Sequence, residues 1–109
     1  MLLLVALISS CDRNVVDHAA LRALVGTEPV VLLSASWCGY CRKLRSDLVE
    51  WKVPFRELDV ETNVAGENAY RLLNGRSIPV LLVDSHVQRG YSRNETQRLL
   101  KNAGLLPKI

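Results

Sequence analysis

The chain has 109 residues, enough for one domain with a single hydrophobic core and too few for two. Hydrophobic residues make up 49% of it and charged residues 23%, which is the composition of an ordinary globular protein. Its formal charge of +3 comes from basic residues that are scattered and interleaved with acidic ones. Because no basic run or aromatic–basic stripe could follow a phosphate backbone, the composition argues against a nucleic-acid partner.

The start of the chain differs from the rest. Residues 1–8 are almost purely apolar, yet the run is far shorter than the ~20 residues that a membrane-spanning helix needs. With the following Ser9-Ser10-Cys11 it resembles a short signal peptide that ends in the lipobox of a bacterial lipoprotein, although no Lys or Arg precedes it. We therefore divide the chain into a signal-like segment, residues 1–11, and a folded domain, residues 12–109.

The lipobox interpretation makes Cys11 the acylated N-terminus of a mature protein, and its lipid the only expected contact with a membrane. Asp12 then resembles the signal that keeps bacterial lipoproteins at the inner membrane. This interpretation places the protein on the periplasmic side of a bacterial cell envelope. The alternative is an apolar arm with an inert Cys11 thiol, and a cytoplasmic location.

The first half of the domain predicts helix, strand, helix. Apolar residues at helical spacing predict a first helix from Asn14 to Val25, with Asp12 or Asn14 as its N-cap. Its expected inner positions are Val16, Ala20, Ala23 and Leu24. The continuous apolar run 30–33 predicts a central strand covered on both faces. The helix that follows is expected to bury Cys41, Leu44, Leu48 and Trp51.

The second half predicts strand, helix, hairpin and helix. Residues 55–60 predict a strand, and Thr62 the N-cap of a helix. That helix carries Val64, Ala69, Leu72 and Leu73. Residues 77–83 and 87–89 predict a hairpin, which Gly90 ends with a positive φ or a bulge. The capping box Ser92-Arg-Asn-Glu95 opens the last helix, whose Leu99 and Leu100 face inward.

A C-x-x-C pair, Cys38 and Cys41, lies where the central strand ends and the second helix begins. Unpaired N–H groups and the positive end of the macrodipole favour a thiolate at such a helix start. The alternatives are an inert structural disulfide and half of a zinc site. For zinc, the further ligands available are Cys11, His18 and His86, and none has the usual spacing. The pattern therefore indicates a redox-active dithiol, with no metal.

The segment Trp37-Cys38-Gly39-Tyr40-Cys41 resembles the active site of the thioredoxin and glutaredoxin superfamily. Ile78-Pro79 resembles the cis-proline loop of that family, at a glutaredoxin-like distance from Cys38. The resemblance implies a thioredoxin fold, an α/β architecture with a mixed four-stranded sheet and helices on both faces. Its element order is α-β-α-β-α-β-β-α, which is the order predicted above.

The resemblance also assigns roles within a thiol–disulfide oxidoreductase. It makes Cys38 the attacking thiolate and Cys41 the residue that resolves the mixed disulfide. The Ile78 backbone is expected to pair with a bound disulfide peptide. The full set expected to contact the substrate is Trp37, Tyr40, Ile78, Pro79, Gly90 and Tyr91.

Three departures from the family pattern bear on the substrate. Leu32 stands where thioredoxins carry a buried acid, and Gly39 where glutaredoxins carry proline. Gly90-Tyr91 replaces the glutaredoxin Gly-Gly pair and acidic residue that bind the glutathione backbone. We therefore expect reduction of protein disulfides. The alternatives are glutathione-dependent deglutathionylation by Cys38 alone and a non-catalytic module that holds copper(I) between the two cysteines.

The expected partners follow from these roles. The only redox group expected is the Cys38–Cys41 disulfide, with no cofactor, although glutathione binding is possible. A disulfide-containing protein is the expected substrate, and an upstream dithiol or flavoenzyme is the expected electron donor. Gly90-Tyr91 resembles the corresponding pair of thioredoxin-like glutaredoxins that a flavoenzyme reduces. We expect the protein to act as a monomer.

Overall fold

The computed structural model describes residues 17–107. This part of the chain has the predicted order of helices and strands. The helices are α1 (His18–Val25), α2 (Gly39–Glu50), α3 (Val64–Leu72) and α4 (Arg93–Asn102). The strands are β1 (Val30–Ser34), β2 (Arg56–Asp59), β3 (Val80–Val83) and β4 (His86–Arg89). The signal-like segment and Val16 lie outside the described residues, so the predictions made for them stay predictions.

The strands form one sheet in the order β2-β1-β3-β4. β1 pairs parallel with β2 and antiparallel with β3, and β3 pairs antiparallel with β4. Leu33 near the end of β1 is opposite Val80 at the start of β3. The sheet therefore brings the end of β1, the start of α2 and the start of β3 to one edge. The predicted mixed four-stranded sheet is confirmed.

β1 lies between two cores. Val31 and Leu33 belong to the cluster that includes side chains of α1 and α3. Val30 and Leu32 belong to the cluster that includes side chains of α2 and α4. Every residue of β1 is buried, as the continuous apolar run predicted. The central strand is thus fixed on both faces, and it holds the loop at its carboxyl end in place.

The first helix begins later than its apolar pattern suggested. Its N-cap is Asp17, so the prediction of Asp12 or Asn14 is wrong. The Asp17 carboxylate accepts the main-chain N–H of Ala20 at 3.1 Å. Leu21 and Val25 are its buried residues, whereas Ala23 is exposed. The predicted inner face is therefore wrong at Ala23. The larger Leu21–Val25 pair at i, i+4 faces the core instead, because burying it removes more apolar area from water.

The N-cap of α3 is Asn63, so the prediction of Thr62 is wrong by one residue. The reason lies in Asp59, whose Oδ1 accepts the main-chain N–H groups of Glu61 and Thr62 at 2.7 and 3.0 Å. These two bonds form a turn after β2 that delays the helix. Val64, one of the apolar residues assigned to this helix, is its first residue and is 73% exposed.

Ser92 caps α4 as predicted, because its Oγ accepts the Glu95 amide at 3.2 Å. The reciprocal half of the capping box is absent, since the Glu95 carboxylate pairs with Arg98 instead. Leu99 and Leu100 are buried, as expected. No helix within residues 17–107 combines the length and the apolar character needed to cross a membrane.

Arg22 of α1 holds the end of the sheet that lies opposite the first turn of α2. Its guanidinium donates to the main-chain carbonyls of Glu28 at 2.6 Å and Asp84 at 2.8 Å. It also reaches the Gly26 carbonyl at 3.2 Å. One side chain thus ties the end of α1, the approach to β1 and the β3–β4 turn together.

An ion pair joins α2 to β2. Arg45 Nε donates to Glu57 Oε1 at 2.7 Å, and Arg45 Nη2 donates to Glu57 Oε2. The buried Ser34 hydroxyl also donates to Glu57 Oε2, at 2.6 Å. The hydrogen bond from Arg45 is the largest cause that holds the pKa of Glu57 below its ordinary value, with Ser34 helping against the opposite effect of burial.

We predict that Gly66→Ala destabilises the fold. An added Cβ would lie 2.6 Å from the Asp59 carbonyl oxygen and 3.2 Å from Leu58 Cβ, so α3 would have to move away from β2. The expected loss is about 1–3 kcal/mol in the free energy of unfolding, measured by urea titration. Gly39→Ala is the control, because the nearest atom to its Cβ is 3.7 Å away. Equal losses in both variants would contradict the prediction.

We predict that Glu57→Gln lowers stability in a pH-dependent way. Because the pKa of Glu57 is lowered in the fold, its carboxylate stabilises the protein above the unfolded-state pKa of about 4.3. That contribution is lost as the pH falls through the lower folded-state value. The difference from wild type should be on the order of 1 kcal/mol near neutrality and shrink below about pH 5.

Glu67→Gln is the matched control for this experiment. Glu67 forms an exposed i, i+4 pair with Arg71, which contributes less than about 0.5 kcal/mol. Urea unfolding at a series of pH values measures both variants. A Glu57→Gln effect that stays constant with pH would show that the carboxylate's charge has no part in holding α2.

Candidate active site

A disulfide joins Cys38 and Cys41 at the amino-terminal end of α2. Cys38 is the N-cap of the helix, and its Sγ accepts the Cys41 amide N–H at 3.1 Å. Cys41 lies within the first turn. A main-chain N–H directed at the Cys38 sulfur favours its thiolate once the disulfide is reduced.

Both cysteines of the disulfide are buried. Cys38 is 5% exposed and Cys41 is not exposed at all. The burial of Cys41 was predicted from its position on α2, whereas the near-complete burial of Cys38 at the helix start was not. The reason is that Ala35 packs with the two cysteines and Ile78 covers them. The pair still differs in the expected direction, since Cys38 is the more accessible of the two.

The loop before β3 forms one wall of the site. The Ile78–Pro79 peptide bond is cis, and Pro79 is buried. The Pro79 carbonyl accepts the Gly90 amide at 2.8 Å, which brings the end of β4 to the same edge. Gly90 has a φ of 89°, the positive value expected from its place at the end of the hairpin.

Trp37 forms the rim on the β2 side and is 65% exposed. Its Nε1 donates to both carboxylate oxygens of Glu61 at 3.0 Å, which fixes the indole ring. A groove of 730 Å³ runs from Trp37 and Ile78 outward along α3. Arg76, in the loop before Ile78, lines the same groove.

Tyr40 forms the opposite rim and is 61% exposed. Its ring stacks on Tyr91, with centroids 5.8 Å apart. Tyr91 Oη donates to Asp47 Oδ2 at 2.7 Å, and this hydrogen bond is the main cause that raises the pKa of the phenol above its ordinary value. Arg93 Nη1 donates to the other Asp47 oxygen at 2.5 Å, and the guanidinium also lies 4.8 Å over the Trp51 ring. Tyr40 is thus positioned by its stacking on Tyr91, which Asp47 in turn holds.

The residues expected to surround the dithiol do meet at one edge. Trp37, Tyr40, Ile78 and Pro79 come together there from three segments, and Gly90 and Tyr91 join them through the Pro79 and Tyr40 contacts. Leu32 is buried beneath α2, and the carboxylate on this face of the sheet comes from Glu57, which pairs with Leu32 in the parallel ladder. Within the described part of the chain, no group of three or more His, Cys, Asp and Glu side chains is placed to hold a metal ion.

The sequence interpretation missed the polar residues that support this edge, namely Asp47, Arg93, Glu61 and Glu57. Asp47 is buried and stands between the apolar positions Leu44 and Leu48 of α2. An acid beside an apolar helix stripe is a usable signal, because a buried carboxylate needs partners. Nothing local indicated that those partners would be Tyr91 and Arg93, which are more than forty residues away along the chain.

Comparison with known proteins agrees with this geometry. The glutaredoxin family model matches residues 30–87, from the start of β1 into β4. The protein named "Putative glutaredoxin Rv3198A" of Mycobacterium tuberculosis (strain ATCC 25618 / H37Rv) is 32% identical over 82 residues. The aligned region is 72% of this chain and 98% of that relative.

Two solved structures share the fold at lower identity. A mutant of the thioredoxin-like protein BC3987 is 22% identical with a TM-score of 0.65, and the match covers 69% of this chain and 97% of that one. The buckwheat glutaredoxin–glutathione complex is 18% identical with a TM-score of 0.63, and the match covers 83% and 91%. With its thioredoxin-like fold, its C-x-x-C disulfide and its match to the family model over more than half its length, the chain belongs to the glutaredoxin family.

Proposed function

We propose that the protein reduces disulfide bonds of other proteins, with Cys38 as the attacking and Cys41 as the resolving residue. The observation that carries this proposal is the position of Cys38 Sγ, which caps α2 and receives the Cys41 amide. The same N–H group can stabilise the Cys38 thiolate in the reduced enzyme. Membership of the glutaredoxin family supports a thiol–disulfide oxidoreductase in general.

The reaction proceeds in two exchanges. The Cys38 thiolate attacks one sulfur of the substrate disulfide, a Cys38–substrate bond forms, and the departing substrate thiolate takes a proton from solvent. Cys41 then loses its proton to water, because Leu32 offers no acid–base group, and its sulfur attacks Cys38. The second substrate thiolate leaves. Two electrons have passed to the substrate, and an external dithiol or flavoenzyme must return them to the Cys38–Cys41 disulfide.

The surroundings of Cys38 suit a polypeptide substrate. Trp37 and Tyr40 present broad, mostly exposed rings on either side of it. Among the main-chain hydrogen bonds of residues 17–107, none uses Ile78, although Gly90 bonds to the neighbouring Pro79. The free Ile78 main chain can pair with an extended segment of the substrate, as an added strand does at a sheet edge.

The region after β4 supports a protein disulfide over glutathione as the substrate. Both carboxylate oxygens of Asp47 are engaged, one by Tyr91 and the other by Arg93. Arg93 also lies 3.7 Å from Glu50. These charged groups satisfy one another, so little of their hydrogen-bonding capacity is left for the charged ends of a tripeptide. Glutathione-dependent action by Cys38 alone is the competing function.

Reduction of insulin by dithiothreitol tests the proposal. The wild-type protein should accelerate precipitation of the insulin chains, and Cys38→Ser should abolish the acceleration because no attacking sulfur remains. Cys41→Ser is the matched variant. Reduced beforehand and then mixed with insulin in the absence of dithiothreitol, it should form a Cys38–insulin mixed disulfide that mass spectrometry detects. Equal rates with and without the protein would contradict the proposal.

The same Cys41→Ser variant separates the two functions. Full activity of Cys41→Ser on a glutathionylated protein, in the presence of glutathione, would favour the competing function. The dithiol route instead requires both cysteines, so Cys41→Ser should lose nearly all turnover on insulin.

A further inference from the structure

Four basic side chains on the segments that form the site have no acidic partner among the described residues. They are Arg42, Lys43, Arg76 and Arg89, which we call the basic collar. All four are exposed. Among the salt bridges and side-chain hydrogen bonds of residues 17–107, none involves any of them.

Two members of the collar lie on the first turns of α2. The Arg42 amide bonds to the Cys38 carbonyl at 3.2 Å, which places Arg42 one turn beyond the attacking cysteine. The Lys43 ammonium lies 5.7 Å from the centre of the Tyr40 ring. Both line a groove of 930 Å³ with Tyr40 and Tyr91. The Tyr40 side of the dithiol is therefore cationic.

The other two members lie on the loop before β3 and at the end of β4. Arg76 lines the separate groove of 730 Å³ that reaches Trp37 and Ile78. Arg89 ends β4 opposite Val80 in the ladder, next to the residue that follows Pro79. The four cations thus belong to three different segments of the site.

The acids near this edge neutralise only part of the collar. Asp47 is paired with Arg93, and Glu67 with Arg71. Glu61 accepts the neutral Trp37 Nε1–H, so it keeps its charge in the groove that also holds Arg76. The excess positive charge that faces an approaching substrate therefore lies mainly at Arg42 and Lys43, in the groove beside Tyr40.

We propose that the basic collar selects polypeptide substrates whose disulfide is flanked by acidic residues. This inference rests on the proposed function. A segment that pairs with the Ile78 main chain lies beside the groove that holds Arg76. Acidic residues next to its cysteine can therefore meet Arg76 and Arg89, or Arg42 and Lys43 beside Tyr40. Because the cations are spread over three segments, an extended chain can meet more of them than a compact tripeptide can.

Matched substrates test the proposal with the reduced, full-length protein. Two peptides of equal length each contain one internal disulfide, flanked by Asp and Glu in one and by Lys in the other. The acidic peptide should react about tenfold faster at about 0.01 M salt. At about 1 M salt, where the screening length falls to about 3 Å, the ratio should approach one. A ratio near one at low salt would overturn the proposal.

Variants locate the effect. The combined variant Arg42→Ala, Lys43→Ala, Arg76→Ala and Arg89→Ala should reduce the acidic-to-basic rate ratio from about tenfold to about twofold. Lys101→Ala, in the last turn of α4, removes one positive charge away from the site, is the matched control for the single variants, and should leave the ratio unchanged. If the combined variant folds poorly, Arg76→Ala and Lys43→Ala should each lower the ratio about twofold. An unaltered ratio in these variants would contradict the role of the collar.

Two small disulfides separate failure of this inference from failure of the proposed function. Bis(2-hydroxyethyl) disulfide carries no charge, so its reduction by wild type reports on the dithiol alone. No reaction with it, with insulin or with either peptide would reject the proposed function. If the combined variant slows only the reduction of glutathione disulfide, and the two peptides react at equal rates, the cations bind glutathione carboxylates. The inference is then wrong.

Discussion

The hydrogen bond from the Cys41 amide to Cys38 Sγ is the contact on which the site depends. A sulfur occupies the place that a Ser, Thr, Asp or Asn side chain usually takes at a helix start. The same hydrogen bond therefore caps the start of α2 and favours the Cys38 thiolate. β1 makes this arrangement possible, because burial on both of its faces fixes the loop from which the cap projects.

The charged groups around this helix fall into two sets with different roles. Arg45 with Glu57, and Arg93 with Asp47, are paired across elements and fix α2 against β2 and against the segment after β4. The cations of the collar stay unpaired at the surface. Because Asp47 pairs with Arg93, the groove beside Tyr40 keeps the positive charge of Arg42 and Lys43, whereas Glu61 offsets that of Arg76 in the groove beside Trp37.

Features encoded by neighbouring residues could be predicted from the sequence. The apolar run of β1, the Ser92 cap and the positive φ of Gly90 all depend on a few adjacent residues, and the order of elements followed from them. The Asn63 cap could not be predicted in the same way, because two local signals competed and Asp59 decided between them. The Asp47 network was equally hidden, since hydrogen bonds between distant segments leave no periodic pattern.

At the opposite end of the sheet, Arg22 forms contacts that involve no carboxylate. Its guanidinium binds main-chain carbonyls of Glu28 and Asp84, and a main-chain carbonyl carries no ionisable group. No counter-ion takes part in these bonds, so acid has no partner to protonate there. Acid can weaken the Glu57 contact near the dithiol while this anchor persists. One end of the sheet therefore has a contact that weakens as the pH falls, and the other end has contacts that do not depend on an acid.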